Sequence, residues 1–140
     1  MSRIFWDTNI FIYLFEGSPT FGRQVSELRV KMLSRGDQLF TSALTLGEIL
    51  VKPLREGNTK LAKEYQSAVP SAATLLTFDA AAASVYGKLR CDPGLRAPDA
   101  MQLACAATFG VDLFVTNDSR LFTRNVDGIQ FIVPLDRIPF

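Results

Sequence analysis

The stretch RIFWDTN at residues 3–9 joins a short apolar segment to three polar side chains, with no turn residue between them. Bulky apolar residues in a run of this length are typical of a buried strand, which we expect over residues 3–6. Asp7 then places a carboxylate directly behind that strand. We expect no helix-capping role for Asp7, so its position favours a role in function.

On either side of this stretch, strand-like and helix-like segments alternate along the chain. Further strands are predicted over residues 39–41, 74–78, 113–116 and 129–133. Helices are predicted over residues 21–35, 45–54, 59–69, 80–90 and 98–107, with a kink or break at Pro53 and a short helical turn over residues 119–122. This alternation predicts one α/β domain spanning residues 1–140: a three-layer sandwich with a central parallel sheet of four to five strands flanked by helices.

The composition narrows the chemistry, because the 140 residues include no histidine. Ser-His-Asp catalysis, Cys-His catalysis and metal centres with imidazole ligands are therefore excluded. Cys91 and Cys105 lack the spacing of a metal or redox pair, so we expect reduced thiols. The net charge of +1 still allows a local basic surface. No apolar run approaches the ~20 residues of a membrane span, so we expect a cytoplasmic protein without a membrane partner.

Four acidic residues lie in apolar surroundings, where acids are unusual. Asp7 and Asp118 follow predicted strands, whereas Glu48 and Asp99 lie in the first turns of predicted helices. Strand carboxyl ends and helix amino ends face the same crevice of an α/β sheet, so we expect the four side chains to converge. Two carboxylates about 4 Å apart repel each other by ~4 kcal/mol at an effective dielectric of ~20. Such a cluster takes up protons or holds a cation, and oxygen ligands alone suit Mg²⁺ or Mn²⁺, which promote phosphodiester hydrolysis.

Three of these acids also have a structural interpretation. Residues 45–48, TLGE, match a capping box in which Glu48 bonds back to the backbone of Thr45. Asp99 would complement the dipole of its helix, and Asp118 would cap the turn over residues 119–122. The residues alone leave both interpretations open for each of the three.

Taken together, four segments resemble the motifs of PIN-domain ribonucleases, and in particular the small VapC-like toxins of toxin–antitoxin pairs. The segments are DTN at residues 7–9, TLGE at 45–48, PDAMQLACA at 98–106 and TNDSRL at 116–121. The resemblance covers residues 3–133, in the order and spacing of the family. Mild departures are Trp6 ahead of the first acid and Pro53 behind the glutamate.

The resemblance implies an endoribonuclease that uses Mg²⁺ or Mn²⁺ and leaves 5′-phosphate and 3′-hydroxyl ends. Carried over by position, Asp7 and Asp99 would be the primary metal ligands, and Glu48 and Asp118 would hold a second ion or its waters. The supporting polar residues of the same motifs are Thr8, Asn9, Thr116 and Asn117. The implied partners are an RNA substrate, a cognate antitoxin and a second copy of the chain, and no organic cofactor is implied.

Basic residues near the motifs are candidates for binding RNA phosphates without reading the base sequence. We expect Arg96 to contribute most, because it precedes Asp99 by three residues, and Arg90 and Arg120 are the next candidates. For each of the three, solvated surface charge is the alternative. The 11 phenylalanines and the apolar segments 131–135 and 138–140 either complete the core or cover a dimer interface and an antitoxin groove.

Two other classes of function fit parts of the sequence. A receiver-like or haloacid-dehalogenase-like phosphotransfer domain would share the strand-end Asp7. Those domains place a second acid close by, however, and Trp6 and Asn9 occupy the positions concerned. A PIN fold that only binds RNA or protein is the other alternative, and it would be expected to have lost some of the four acids.

Overall fold

A computed structural model describes residues 1–140 of the chain. Five strands form one sheet: β1 Arg3–Trp6, β2 Gln38–Ser42, β3 Thr74–Leu76, β4 Val111–Val115 and β5 Ile129–Val133. Their order across the sheet is β3-β2-β1-β4-β5, and every neighbouring pair runs parallel. The predicted parallel sheet is confirmed, with five strands.

Six helices and two short 3₁₀ turns connect and follow the strands. The helices are α1 Thr8–Phe15, α2 Gly22–Arg35, α3 Ala43–Arg55, α4 Thr59–Ala72, α5 Ala80–Leu89 and α6 Ala97–Phe109, and the turns are Ser119–Leu121 and Leu135–Arg137. Helix α1 has no counterpart among the predicted helices. Its sequence, TNIFIYLF, is apolar almost throughout, so it lacks the alternation of polar and apolar faces by which a helix is recognised.

Helices cover both faces of the sheet. Side chains of successive strand residues point to opposite faces, so each strand contributes to a core on either side. In β1, Trp6 lies in a core shared with α1, α2, α3 and α4, where its ring packs edge-on against Phe11. Phe5 lies in the second core, shared with α5 and α6, and stacks on Phe114 of β4 with ring centroids 4.9 Å apart. Helices on both faces of one sheet give the predicted three-layer sandwich.

The chain changes direction across the sheet between β1 and β4. From β1 it adds β2 and β3 on one side, and it then crosses back to add β4 and β5 on the other side. At such a point the connections leave neighbouring strands toward opposite faces, and a crevice opens at the carboxyl ends of those strands. Asp7 directly follows β1 and Thr116 directly follows β4, so two of the four sequence motifs flank this crevice.

Several element boundaries differ from the predictions. Strand β3 ends at Leu76, and Phe78 beyond it is exposed. Helix α3 begins at Ala43 and runs through Pro53 to Arg55, so the predicted break at Pro53 is wrong. The proline lies in the last turn, where few helical hydrogen bonds follow it. In the same way, α4 continues past Pro70 to Ala72.

Both cysteines are free thiols, as expected, with Cys91 exposed and Cys105 buried. Burial raises the pKa of the Cys105 thiol to about 11, so it stays protonated at neutral pH. None of the helices combines the length and the apolar character that crossing a membrane requires.

Candidate active site

Asp7 lies between the central strand and helix α1, and it is 7% exposed. Its backbone N–H donates to the carbonyl of Val115, which ties the residue to β4. Its Oδ1 accepts from the backbone N–H of Thr8 at 2.8 Å, and its Oδ2 accepts from the hydroxyl of Thr116 at 2.8 Å. Asp7 is the N-cap residue of α1, so the expectation that it caps no helix is wrong. That expectation failed because α1, which begins at Thr8, was not recognised.

The electrostatic environment of Asp7 disfavours its charged form. Burial raises the pKa of its carboxyl from 3.8 to about 6, while the hydrogen bonds from Thr116 and Thr8 oppose the rise. The charges of Asp99 and Glu48 raise the pKa further. Asp99 and Glu48 therefore lie close enough to Asp7 for their charges to act on its carboxyl group.

Glu48 approaches this group from α3. Its Oε1 accepts from the hydroxyl of Thr8 at 2.6 Å. The capping-box interpretation is wrong, because Ser42 is the N-cap residue and α3 begins at Ala43, which places Glu48 in the second turn. Thr45 instead turns its hydroxyl inward, where it lies 3.2 Å from the hydroxyl of Thr8. The carboxylate of Glu48 is thus held by a side chain of the first motif.

Asp99 lies in the first turn of α6 and is 8% exposed, so it does lie where the dipole of its helix favours a negative charge. Its Oδ2 accepts from Nε of Arg96 at 3.0 Å. A second nitrogen of the same guanidinium lies 3.7 Å from Oδ2 of Asp118. Arg96 therefore bridges two of the motif acids.

Asp118 follows β4 and caps the turn Ser119–Leu121, as predicted, by accepting from the backbone N–H of Arg120 at 3.1 Å. The Arg120 guanidinium also donates to both carboxylate oxygens, at 2.9 and 2.6 Å. These hydrogen bonds from Arg120 hold the pKa of Asp118 below its usual value. The pKa values of Asp118 and Asp7 are therefore shifted in opposite directions.

Of the supporting residues, Thr116 is the central one. Besides donating to Asp7, its hydroxyl accepts from the side-chain amide of Asn9 at 3.3 Å and from the backbone N–H of Asp118 at 3.1 Å. The side-chain oxygen of Asn9 accepts from the backbone N–H of Asn117 at 3.4 Å. The side-chain oxygen of Asn117 accepts from the backbone N–H of Leu135, so this side chain orders the segment after β5 and does not contact the acids.

The three arginines proposed for RNA binding do not lie together. Arg96 and Arg120 adjoin the acids, with their side chains more than half exposed. Arg90, the C-cap residue of α5, donates to the hydroxyl of Tyr86 at 3.1 Å and forms no contact with the four acids. Only the first two are placed where a phosphate near the acids would be bound.

The four acids offer oxygen ligands of the kind that Mg²⁺ and Mn²⁺ prefer, and the buried charge of Asp7 calls for a cation. No three acidic side chains, however, are arranged so that they could hold an ion together as they stand. As the side chains lie, Arg96 pairs with Asp99 and Arg120 pairs with Asp118. The donor chemistry of the four acids fits such an ion.

Gln102 is a residue at this site that the sequence analysis missed. It lies on α6, one turn after Asp99, and is 2% exposed. Its side chain accepts from the hydroxyl of Ser42 and donates to the hydroxyls of Thr8 and Thr45, at 3.0 and 2.7 Å. The signal in the sequence is an isolated amide within the apolar run 100–107, on the same helix face as Asp99.

The sequence of the chain from residue 4 to residue 127 matches the family model of the PIN domain. The chain belongs to the PIN domain family. This membership excludes the receiver-like and haloacid-dehalogenase-like alternatives as descriptions of the fold. Comparison with curated protein sequences gives no match.

Solved structures share the fold of this PIN domain at low sequence identity. VapBC2 from Rickettsia felis, bound to a DNA fragment from its promoter, matches with a TM-score of 0.74 and 17% identity over 94% of this chain and 98% of that one. DNA-bound VapBC from Salmonella typhimurium matches with a TM-score of 0.73 and 23% identity over 96% and 99%. VapBC-5 from Mycobacterium tuberculosis matches with a TM-score of 0.61 and 20% identity over 94% and 98%. These likenesses, all below 25% identity, concern the fold of the chain.

Beside the acids, the PIN domain has a cleft of about 420 Å³ between α1, α3 and α4. Its walls combine apolar and charged side chains, among them Ile12, Phe15, Glu48 and Tyr65. Lys52 crosses part of it and bonds to Glu16 at 2.8 Å. Glu48 belongs to both the cleft and the acidic site, so the two are continuous.

Proposed function

We propose that this PIN domain is a divalent-metal-dependent endoribonuclease. The observation that carries the proposal is the environment of Asp7, a carboxylate buried at the end of the central strand, with Asp99 and Glu48 close enough to raise its pKa. Burying such a charge destabilises the fold, and a cation bound beside it offsets that cost. Membership of the PIN family and the likeness to VapBC structures support the same function.

Asp7 and Asp99 are the proposed ligands of the first ion, and Glu48 and Asp118 would hold a second ion or its waters. When bound, Mg²⁺ or Mn²⁺ would activate water and offset the charge that builds on the phosphate. The hydroxyl of Thr116 holds one oxygen of Asp7 in place, and the hydroxyl of Thr8 holds one oxygen of Glu48.

Arg96 and Arg120 would supply the contacts to RNA phosphates. Their guanidinium groups lie at the rim of the acidic site and are more than half exposed. With Asp99 and Asp118 engaged in holding a cation, these guanidinium groups would be available to bind the phosphates that flank the scissile bond. Arg90 would contact RNA farther from the acids.

The test is RNA cleavage by the purified chain with Mg²⁺ or Mn²⁺, with EDTA, and after Asp7→Asn. We expect cleavage only for the unsubstituted protein with metal present. Cleavage that survives both EDTA and Asp7→Asn would refute the proposal. If the chain binds RNA tightly but never cleaves it, the PIN fold is a binding module here.

The chemistry of the ends gives a second test. Attack by water leaves a 5′-phosphate and a 3′-hydroxyl, whereas attack by the RNA's own 2′-hydroxyl leaves a 2′,3′-cyclic phosphate. We expect the first pair of ends, identified by end labelling and mass spectrometry of the fragments. Cyclic phosphate ends would contradict the proposed role of the acids.

We also propose that the chain acts in the cytoplasm as the toxin of a toxin–antitoxin pair and forms a homodimer. Solved structures that match it include VapBC complexes and a toxin–antitoxin complex from Klebsiella pneumoniae. The cleft beside Glu48 would take a segment of the antitoxin that presents apolar and basic side chains. Growth arrest on expression of the chain, relieved by co-expression of the adjacent short reading frame, is the expected result. Sedimentation of the purified chain tests the dimer.

A further inference from the structure

Gln102 is a buried polar residue beside the acids for which the proposed function has no role. An amide inside a protein costs free energy unless its oxygen and its two N–H groups all have partners. All three are satisfied here: Oε1 by Ser42 at the end of β2, and Nε2 by Thr8 of α1 and Thr45 of α3. The amide of one α6 residue thus joins the elements that carry the first and second motifs.

The hydrogen bonds around Gln102 follow from which groups can donate. The hydroxyl of Thr41 lies 2.8 Å from the carbonyl of Trp6, which can only accept, and 2.8 Å from the hydroxyl of Thr45. Thr45 accepts one amide proton of Gln102, and its hydroxyl lies 3.2 Å from that of Thr8. Thr8 receives the other amide proton, which leaves its own proton for Oε1 of Glu48 at 2.6 Å.

We propose that Gln102 is a positioning residue of the metal site. Through its amide N–H it holds the hydroxyl of Thr8 as a donor to Glu48, and the carboxylate of Glu48 is thereby fixed in place for the cation. Ser42 has a related role. Its hydroxyl donates to Oε1 of Gln102, so the amide is oriented with Oε1 toward Ser42 and Nε2 toward Thr8 and Thr45. The inference rests on the proposed function, since it concerns the ion proposed there.

The position of Gln102 on α6 gives this link a further consequence. Asp99 and Gln102 are three residues apart and lie on the same face of one helix. Asp99 contributes its own carboxylate, and Gln102 orients, through Thr8, the carboxylate of Glu48 on α3. One rigid helix therefore fixes the spacing of two proposed ligands that are 51 residues apart in sequence.

The experiment measures Mn²⁺ binding to the full chain by calorimetry, for the unsubstituted protein, Gln102→Met, Thr8→Val and the double variant. Methionine is close to glutamine in size and shape and donates no hydrogen bond. Partners that orient metal ligands are worth about 10- to 100-fold in affinity, so we expect Gln102→Met to weaken binding by that factor. In the Thr8→Val background, Gln102→Met should have no further effect, because the link to Glu48 is already broken.

A matched control separates positioning from simple destabilisation. Leu103→Ala removes a fully buried side chain from the next position of α6, in the core on the other face of the sheet from α3. It should lower the melting temperature and leave Mn²⁺ affinity unchanged. If Gln102→Met lowers the yield of folded protein, Ser42→Ala is the milder variant, and we expect a smaller loss of affinity in the same direction.

The outcomes are distinguishable. An unsubstituted protein that binds no Mn²⁺ overturns the proposed metal dependence, and this inference with it. If the unsubstituted protein binds Mn²⁺ while Gln102→Met and Ser42→Ala bind it equally well, the positioning role alone is overturned. The positioning role is also overturned if Gln102→Met lowers Mn²⁺ affinity by the same factor with Thr8 and with Thr8→Val. That result would show that Gln102 does not act through Thr8.

Discussion

Replacing Asp7 by asparagine should stabilise the metal-free protein at alkaline pH, although it removes a motif acid. Burial raises the pKa of Asp7 from 3.8 to about 6. The native state therefore binds this proton more tightly than the unfolded state, and the native fold loses stability as the pH rises from about 4 to 6. At ~1.36 kcal/mol per pKa unit, the loss amounts to about 3 kcal/mol above pH 6.

Asparagine removes this electrostatic cost, but it also weakens one hydrogen bond. The hydroxyl of Thr116 donates to one carboxylate oxygen of Asp7, and an amide nitrogen in that place cannot accept it. A lost hydrogen bond costs about 1 kcal/mol. We therefore expect Asp7→Asn to raise the free energy of unfolding by about 2 kcal/mol at pH 8, and to leave it nearly unchanged at pH 4.5.

The assay is urea unfolding in EDTA at both pH values, followed by the fluorescence of the single tryptophan, Trp6, which lies beside the substituted position. Asp127→Asn removes an exposed carboxylate and serves as the control, with no pH-dependent change expected. Destabilisation by Asp7→Asn of the same size at pH 4.5 and pH 8 would refute the reasoning. With Mn²⁺ at pH 8, we expect the unsubstituted protein to be more stable than Asp7→Asn, because the ion stabilises only the unsubstituted protein.

Four further predictions concern the rim of the site, the core and two glycines. Arg96→Gln should strengthen Mn²⁺ binding and weaken RNA binding, as measured by calorimetry and by filter binding, because the guanidinium competes with the ion for Asp99. Phe114→Ala should lower the free energy of unfolding by about 3–5 kcal/mol, since the side chain is fully buried; equal melting curves would contradict this. Gly128→Ala should destabilise the fold by more than about 1 kcal/mol, because φ is +97° and a Cβ would lie 2.1 Å from the carbonyl oxygen of Ala107. Gly87→Ala, in open space on α5, should instead stabilise it by about 0.5–1 kcal/mol, and denaturant titration distinguishes the two.

The layered sheet could be predicted because its strands are nearly continuous apolar runs between helices with clear polar faces. Residues 113–116 and 129–133 illustrate this, since both strands were predicted to within two residues of the observed ends. Helix α1 escaped prediction because Ile10 and Phe11 are buried while its other apolar residues face the cleft and neighbouring helices, so no polar face marks it. Because this helix was not predicted, the role of Asp7 as its N-cap residue was not predicted either.

The acids of the site could be predicted because each interrupts an apolar run, but their connections could not. Thr45 looks like a cap in sequence, and only the hydrogen bonds across three elements show that it is an interior residue of α3. Gln102 finds its partners in α1, α3 and β2, which are 57 to 94 residues away along the chain. Local patterns carry no information about pairings of this range, which arise only when the sheet is assembled.

Helix α6 limits how this molecule can evolve. Eight of its 13 residues are buried, and five of those eight are alanine or cysteine. A helix that is packed on nearly every side accepts few larger side chains without moving the acid that it carries. New substrate preferences are therefore expected to arise at the exposed arginines on the neighbouring loops, while α6 stays constant as the fixed part of the site.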